Sequence, residues 1–156
     1  MKILFVCTGN TCRSPMAVAI ARRVAQERGL GDIDVTSAGT SAWEGAPASD
    51  GALLVGIEQQ LDISDHRSRQ LSRELITAHD VILAMGPHHL ERIVALGGPD
   101  KAHLLTDFAS RGRSQRTISD PMGSGLEVYR ATFEELDREI RRAFDRIVAE
   151  RTPDRP

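Results

Sequence analysis

The chain has 156 residues, of which 40% are hydrophobic and 27% are charged, and its formal net charge is -2. This length and composition are typical of one globular domain with a full-sized core. The slight negative charge argues against nucleic acid or an anionic membrane as a partner bound by bulk electrostatics. No apolar run approaches the roughly 20 residues of a membrane helix. With two cysteines and no evident signal peptide, we expect a cytoplasmic protein.

The first half of the chain predicts alternating strands and helices. The predicted elements are a strand over 2–6, a helix from Pro15 to about 28, a strand over 34–37, a helix from Ser49 to about 61, and a short helix from Ser72. Pro15 suits the first turn of a helix, and Ser49 and Ser72 are typical N-cap residues.

The second half continues the alternation. It predicts a strand over 80–85, a helix over 87–96, a weak strand over 102–106, a long polar loop over 108–122, and a periodic amphipathic helix from 126 to about 148. We assign residues 1–149 to a single domain and residues 150–156 to a flexible tail. The alternation predicts an α/β fold with a parallel sheet and helices on both faces. Ligands of such folds bind beyond the carboxyl ends of the strands.

The stretch VCTGNTCRSP lies between the first predicted strand and the first predicted helix. Backbone N–H groups of such a loop converge on one point, and the helix N-terminus adds positive potential there. Both features suit a tetrahedral oxyanion, and the Arg13 guanidinium can hold two of its oxygens. We expect the same field to lower the pKa of Cys7 and make its thiolate a nucleophile for phosphoryl transfer, with a hydrogen bond from Ser14. The alternative is a buried, unreactive Cys7 and a surface Arg13.

Over nearly its whole length the chain resembles the low-molecular-weight protein tyrosine phosphatases. The resemblance rests on VCTGNTCRSP, TSAGT, SDHRSRQL, DVILAM and ISDPMGSGLEVYR. It implies a flavodoxin-like four-stranded parallel sheet, phosphorylated proteins as substrates, and no metal or organic cofactor. For the assembly we expect a monomer, with a weak dimer as the alternative. The resemblance also implies that Cys7 is the nucleophile and that Arg13 grips the phosphate. The other residues of the implied phosphate-binding loop are Thr8, Gly9, Asn10, Thr11, Cys12 and Ser14.

Phosphoryl transfer also requires a general acid, because the leaving atom takes up a proton as its bond to phosphorus breaks. The resemblance assigns this role to Asp120 of the Asp120–Pro121 pair, whose ionised carboxylate can later take a proton from water. An Asp-Pro pair is otherwise a common turn. The resemblance also implies that Ser37 and His66 hold Asn10, a residue suited to the left-handed conformation, and so stiffen the loop. Without the resemblance, His66 would be interpreted as a solvent-exposed loop histidine.

Cys12 is the second of the two cysteines. The resemblance implies a reversible disulfide between Cys7 and Cys12 under oxidation, which would protect the nucleophile from irreversible damage. The plain alternative is that Cys12 packs beneath the loop.

Three residues bear on the group that carries the phosphate. Thr11 stands where tyrosine-specific members usually have a bulkier apolar residue, and CTGNTCRSPMA looks more like the bacterial protein arginine phosphatases of the family. A threonine hydroxyl can hydrogen-bond a guanidinium and leaves a more polar wall. Met122 stands where an aromatic residue is usual after Asp-Pro, and offers an apolar, adaptable wall. Trp43 is expected at the border of the pocket, with a packed surface aromatic as the alternative.

We therefore predict a phosphoprotein phosphatase that forms a cysteinyl-phosphate and leans toward phosphoarginine, with phosphotyrosine as the alternative. A thiol-based arsenate reductase has the same fold and Cys-x5-Arg loop, but relays oxidation through further cysteines that this chain lacks. A non-catalytic phosphate-binding module is a third hypothesis, and it leaves Asp120 without an evident purpose. For the arginines at 111, 113 and 116, a solvated loop face is preferred to a docking site for acidic phosphoproteins.

Overall fold

Four parallel strands form the centre of the computed structural model, which describes residues 1–151. The elements are β1 (Lys2–Cys7), α1 (Arg13–Glu27), β2 (Asp34–Gly39), α2 (Asp50–Glu58), α3 (Arg73–Ala78), β3 (Val81–Ala84), α4 (Pro87–Ala95), β4 (Ala102–Leu104), α5 (Leu105–Ser110) and α6 (Leu126–Arg151). The strand order is β2-β1-β3-β4, and every neighbouring pair is parallel. This is the flavodoxin-like order, so the predicted fold is confirmed.

Strand β1 shows why both faces of the sheet need helices. Successive side chains of a strand point to opposite faces, so Ile3 and Phe5 enter one apolar cluster, while Leu4 and Val6 enter the other. The first cluster is completed by α1, α2, α5 and α6, and the second by α3 and α4. A strand that is buried on both faces reads as a continuous apolar run, as β1 does.

The helix starts follow the capping residues of the sequence. The Ser49 hydroxyl accepts a hydrogen bond from the N–H of Ala52 at 3.4 Å, and the Ser72 hydroxyl accepts one from Leu75 at 3.2 Å. Helix α4 begins at Pro87, whose missing N–H costs nothing in the first turn. The predicted starts of these three helices are confirmed.

The segment after β4 differs from the prediction. The strand ends at Leu104, and residues 105–110 form helix α5 instead of a strand end and a polar loop. Leu105 and Phe108, three residues apart, are both buried in the core, and this spacing favours a helical turn over an extended chain. Arg111 then adopts the left-handed conformation with φ 56° and ends the helix, so the irregular loop begins only there.

The last helix is longer than predicted. Helix α6 ends at Arg151 and not near 148, and Arg151 forms an ion pair with Asp32. Two residues of the predicted tail are therefore helical, and the remainder, 152–156, lies outside the described residues. Within residues 1–151, none of the helices has the length and apolar character that crossing a membrane requires.

Candidate active site

The phosphate loop, defined here as residues 7–14, connects the carboxyl end of β1 to the first turn of α1. Its backbone is held against the chain that follows β2, because the N–H of Thr40 donates to the Cys7 carbonyl and that of Ser41 to the Thr8 carbonyl, both at 2.9 Å. Gly39 lies so close that a Cβ atom there would stand 2.4 Å from the Thr8 carbonyl oxygen. The end of β2 therefore needs glycine at this position.

Asn10 orders the hydrogen bonds beneath the loop. It is fully buried and takes the predicted left-handed conformation, with φ 59°. Its Oδ1 accepts from the N–H of Arg69 at 2.9 Å, which fixes the amide orientation. The Nδ2 group therefore donates to the hydroxyls of Ser14, at 2.7 Å, and Ser37, at 2.9 Å. Since Ser14 accepts this bond, its own proton can be donated to Cys7 Sγ, 2.9 Å away.

Burial raises the pKa of the Cys7 thiol above its usual value, because an apolar interior disfavours a thiolate. Hydrogen bonds from the Ser14 hydroxyl and from backbone N–H groups of Ser14 and Asn10, with the charge of Arg13, act in the opposite direction. Burial outweighs them, so the net lowering of the Cys7 pKa expected from the sequence is wrong for this structure. The contacts that act to lower the Cys7 pKa are the ones that stabilise the sulfur once it is ionised.

His66 reaches the loop from the segment after α2. Its Nε2 lies 2.5 Å from the carbonyl oxygen of Asn10, and because a carbonyl only accepts, Nε2 carries a proton. Burial is the main cause that lowers the His66 pKa, and the neighbouring arginines add to it. The structure thus brings His66 and Ser37 to opposite ends of the same asparagine.

Arg13 and Asp120 meet at the open side of the loop. The Arg13 guanidinium is buried and donates to the Ile118 carbonyl at 2.9 Å. Its other terminal nitrogen lies 3.6 Å from Asp120 Oδ2. The Asp120 side chain is half exposed, and its Oδ1 accepts from the N–H of Met122 at 3.1 Å. Arg13 therefore joins the phosphate loop to the Asp-Pro loop.

Cys12 is buried on the side of α6. Its sulfur lies 3.2 Å from the Tyr129 hydroxyl and 3.4 Å from the Ser49 hydroxyl. The tyrosine ring fits over Gly51, where an added Cβ would stand 2.5 Å from it. Cys7 and Cys12 are both free thiols.

Sequence reasoning does not single out His89, which contacts the loop from α4. The ring is fully buried, and its Nε2 lies 2.8 Å from the Thr8 hydroxyl. Burial, with smaller contributions from His88 and Arg13, lowers the His89 pKa to about 3, so the ring is neutral. Its Nδ1 is buried without a partner among residues 1–151, and an orphaned lone pair is more readily tolerated there than an orphaned N–H. Nε2–H therefore donates to Thr8, whose own proton remains free for another acceptor.

The mouth of the site combines polar and apolar side chains. The Met122 methyl group and the Thr11 hydroxyl both lie beside Gly9, 3.7 and 3.6 Å from where its Cβ would be. Trp43 is 85% exposed and lies two residues after Ser41, whose N–H is bonded to the loop backbone.

A signal for His89 does exist in the sequence, since it lies just after β3, at the carboxyl edge where ligands bind in such sheets.

The arginines after α5 do not join this site as a group. Arg116 forms ion pairs with Glu135 and Glu139 of α6, and Arg111 ends helix α5. Arg111, Arg113 and Arg116 are all exposed, which agrees with the solvated loop face preferred from the sequence.

The arrangement can hold a tetrahedral anion in the phosphate loop, in contact with the guanidinium of Arg13. A nucleophile, Cys7, lies at the base of the loop, and a carboxylate, Asp120, lies at the open side. A sulfur nucleophile and a carboxylate that can supply a proton are the two groups that displacement at phosphorus requires.

Comparisons with known proteins identify the family of this chain. The family model of the low molecular weight phosphotyrosine protein phosphatases matches residues 2–152. A protein-arginine-phosphatase of Geobacillus stearothermophilus is 40% identical over 151 residues, 96% of this chain and 97% of that protein. The low molecular weight protein-tyrosine-phosphatase Wzb of Escherichia coli (strain K12) is 32% identical over 148 residues, 95% of this chain and 96% of that protein. A structure of a YwlE arginine phosphatase mutant with a phosphorylated active-site serine has a TM-score of 0.89 at 33% identity, and covers 97% of this chain and 98% of that one. The chain belongs to the low-molecular-weight phosphotyrosine protein phosphatase family.

Proposed function

We propose that the protein is a phosphoprotein phosphatase that works through a cysteinyl-phosphate on Cys7 and prefers phosphoarginine side chains. The observation that carries the proposal is the position of the buried Cys7 sulfur. It contacts the hydroxyl of Ser14, the neighbour of Arg13 and the last residue of the phosphate loop, and this hydroxyl belongs to the hydrogen-bond network of Asn10. Asp120, 3.6 Å from the Arg13 guanidinium, supports an acid at the leaving-group side.

The reaction follows from these positions in two displacements. Because burial raises the pKa of Cys7, the thiol first gives its proton to an oxygen of the phosphoryl group bound in the loop. The thiolate then attacks phosphorus, and the bond from phosphorus to the leaving nitrogen or oxygen breaks while Asp120, in its acid form, gives that atom a proton. Water then attacks phosphorus, the P–S bond breaks, and the Asp120 carboxylate takes the proton of the water. The thiolate of Cys7 returns and phosphate leaves. Arg13 and the loop N–H groups hold the phosphoryl oxygens through both steps.

Two features support phosphoarginine as the substrate group. Thr11 presents a hydroxyl beside Gly9, where it can accept a hydrogen bond from a guanidinium, and the flexible Met122 forms the facing apolar wall. The relative from Geobacillus stearothermophilus, 40% identical to this chain, is named a protein-arginine-phosphatase.

The direct test compares two peptides of identical sequence, one with phosphoarginine and one with phosphotyrosine. We expect a clear preference in kcat/KM for phosphoarginine. A large preference for phosphotyrosine would overturn the arginine assignment and favour the second candidate, a tyrosine phosphatase like the Wzb relative. The Cys7→Ser variant separates mechanism from specificity, because loss of turnover on both peptides is expected, and a fully active variant would exclude the covalent route.

We further propose that the protein works as a monomer on phosphorylated proteins in a reducing cytoplasm, and that Cys12 protects Cys7 by forming a reversible disulfide under oxidation. The nucleophile must be a reduced thiol, which such a compartment maintains. Both cysteines lie on the phosphate loop. Peroxide oxidises the Cys7 sulfur to a sulfenic acid, and the Cys12 thiol condenses with it to give the disulfide and water. Mass spectrometry after peroxide treatment tests the disulfide, and light scattering tests the assembly.

A further inference from the structure

A cavity of about 600 Å³ lies behind the phosphate loop, between α1 and the segment that follows α2. Its lining includes the side chains of Arg22, Arg23, Arg67 and Arg69, and we call it the arginine cavity. The volume is within the range of small-molecule sites in proteins. Cys7, Arg13 and Asp120 do not line it, so the arginine cavity is separate from the mouth where phosphorylated substrates enter.

The charges of this cavity are not balanced. Four arginines line it against two aspartates, Asp62 and Asp65. Within residues 1–151, Arg22, Arg67 and Arg69 have no ion pair with a carboxylate.

The guanidinium groups are held mainly by backbone carbonyl groups. Arg22 donates to Val35, Arg67 to His66 and Arg69 to Ser37. A carbonyl oxygen fixes the direction of a guanidinium without neutralising its charge, and leaves its other N–H groups unused. The cavity therefore presents oriented positive charge to whatever enters it.

Arg23 is also held by a backbone carbonyl. One terminal nitrogen donates to the Gln59 carbonyl at 2.9 Å, and the other lies 3.9 Å from Asp137. Its Nε is buried, so a molecule in the cavity meets the terminal nitrogens of Arg23 and not the Nε.

The lining also has apolar surface. Pro15, Val18, Ala19, Leu61 and Ile63 contribute it, and Gln26, Thr36 and Gln60 add uncharged polar groups. An inorganic anion would leave the apolar surface uncovered, whereas an organic body with more than one negative group would cover it and meet the arginines. We propose that the arginine cavity binds a small organic anion with at least two negative groups, and that its occupancy is coupled to the phosphate loop through His66 and Ser37.

The coupling is structural. His66 and Ser37 line the cavity, and the same two residues bond the carbonyl and the side chain of Asn10. The charges facing His66 come from Arg22, Arg67 and Arg69, and they add to burial in lowering its pKa. Asp62 and Asp65 offset part of the positive charge in the cavity. A bound anion offsets the remaining positive charge, so it raises the His66 pKa. By linkage, protonation of His66 tightens anion binding as the pH falls.

The test uses isophthalate, a rigid aryl dicarboxylate, with the uncharged isophthalamide as its matched control. Calorimetry should show binding of isophthalate to the wild type and to Arg13→Ala with similar affinity, and no binding of isophthalamide. The double variant Arg22→Gln/Arg67→Gln should weaken binding about tenfold or more, since each guanidinium loses charge-assisted hydrogen bonds. Arg92→Gln, an exposed arginine of α4, should leave it unchanged.

Two further measurements keep the test independent of folding and of the proposed function. Gln26→Glu, a change of equal size at an exposed residue of the lining, adds a carboxylate to the cavity without disturbing the core, so it should also weaken binding. In NMR titrations, isophthalate should raise the His66 pKa in the wild type. The proposal is overturned if isophthalate does not bind, if binding is lost in Arg13→Ala but kept in the double variant, or if the His66 pKa does not move. Hydrolysis of an aryl phosphate by the same variants, measured separately, reports on the active site alone.

Discussion

The Nε2 atom of His89 lies 2.8 Å from the hydroxyl oxygen of Thr8, the second residue of the phosphate loop. Because the buried Nδ1 of this histidine has no partner within residues 1–151, the ring proton belongs on Nε2. Thr8 therefore accepts from His89 and can donate its own proton to a phosphoryl oxygen. Helix α4, which follows β3 in the chain, thus sets the direction of a donor in the loop.

Removing the Thr8 hydroxyl tests this order of protons. Thr8→Val keeps the shape of the side chain, and we expect kcat/KM for an aryl phosphate to fall about tenfold or more, the value of one hydrogen bond to a charged group. Thr8→Ser keeps the hydroxyl and should stay within a few-fold of wild type. Wild-type kinetics in Thr8→Val would show that the hydroxyl does not meet the substrate.

The lowered pKa of His89 predicts a loss of stability in acid. Its pKa is about 3 in the folded protein against 6.5 in the unfolded chain. Below pH 6.5, His89 therefore binds a proton in the unfolded chain but stays neutral in the folded protein until the pH approaches 3. The stabilisation is complete above pH 6.5 and is lost as the pH falls toward 3, by about 2 kcal/mol between pH 7 and pH 5. Urea denaturation of wild type and His89→Gln at both pH values measures this.

His89→Gln is expected to lose less stability between these pH values than the wild type, although it starts from a lower value at pH 7. Burial also lowers the pKa values of His66, His79 and His103. These histidines are present in both proteins, so the difference between the two pH dependences isolates His89. Equal pH dependences would contradict the prediction.

Asp120→Asn should slow the reaction in proportion to the need for a proton at the leaving atom. We expect kcat/KM, which reports on the first displacement and not on hydrolysis of the shared cysteinyl-phosphate, to fall by about 10²–10⁴-fold for phenyl phosphate, the usual contribution of a general acid. The fall should be smaller for 4-nitrophenyl phosphate, whose leaving oxygen needs less assistance. Asp100→Asn, an exposed aspartate after α4, is the matched control. The same loss on both substrates would argue against the acid role.

Gly39→Ala should disturb the phosphate loop through its backbone. The added methyl group would stand 2.4 Å from the Thr8 carbonyl oxygen and 3.0 Å from the Asn10 nitrogen. Backbone must shift to admit it, at a cost of about 1–3 kcal/mol in the free energy of unfolding, and we expect most activity to be lost. Gly31→Ala, where the methyl group meets open space, is the control. A stable, active Gly39→Ala would show that the loop yields easily.

Thr11→Ile tests the basis of the proposed substrate preference. The larger apolar side chain can pack on a phenyl ring and cannot bond a guanidinium, so the ratio of kcat/KM for phosphoarginine over phosphotyrosine peptides should fall. Thr11→Ser, which keeps the hydroxyl, should preserve the ratio. If Thr11→Ile leaves the ratio unchanged, the preference is set elsewhere.

The local signals in the sequence were sufficient for most of the fold. Ser49 and Ser72 mark their helix starts because capping depends on neighbours in the chain. Helix α5 was not predicted, because its six residues are too few to show a clear helical period of apolar residues. The packing of Leu105 and Phe108 in the core decides its conformation. The left-handed Asn10 was predicted correctly, since asparagine tolerates that conformation.

The sequence by itself determined the strand, loop and helix that carry Cys7 and Arg13, because a nucleophile and a guanidinium six residues apart belong to one local turn. Only the tertiary structure decided which distant groups meet that turn. His89 and Tyr129 arrive from helices α4 and α6, and neither lies within a motif of its own. The tertiary structure also decided the direction in which the Cys7 pKa shifts, because burial of the sulfur depends on the whole core and no local sequence pattern indicates it.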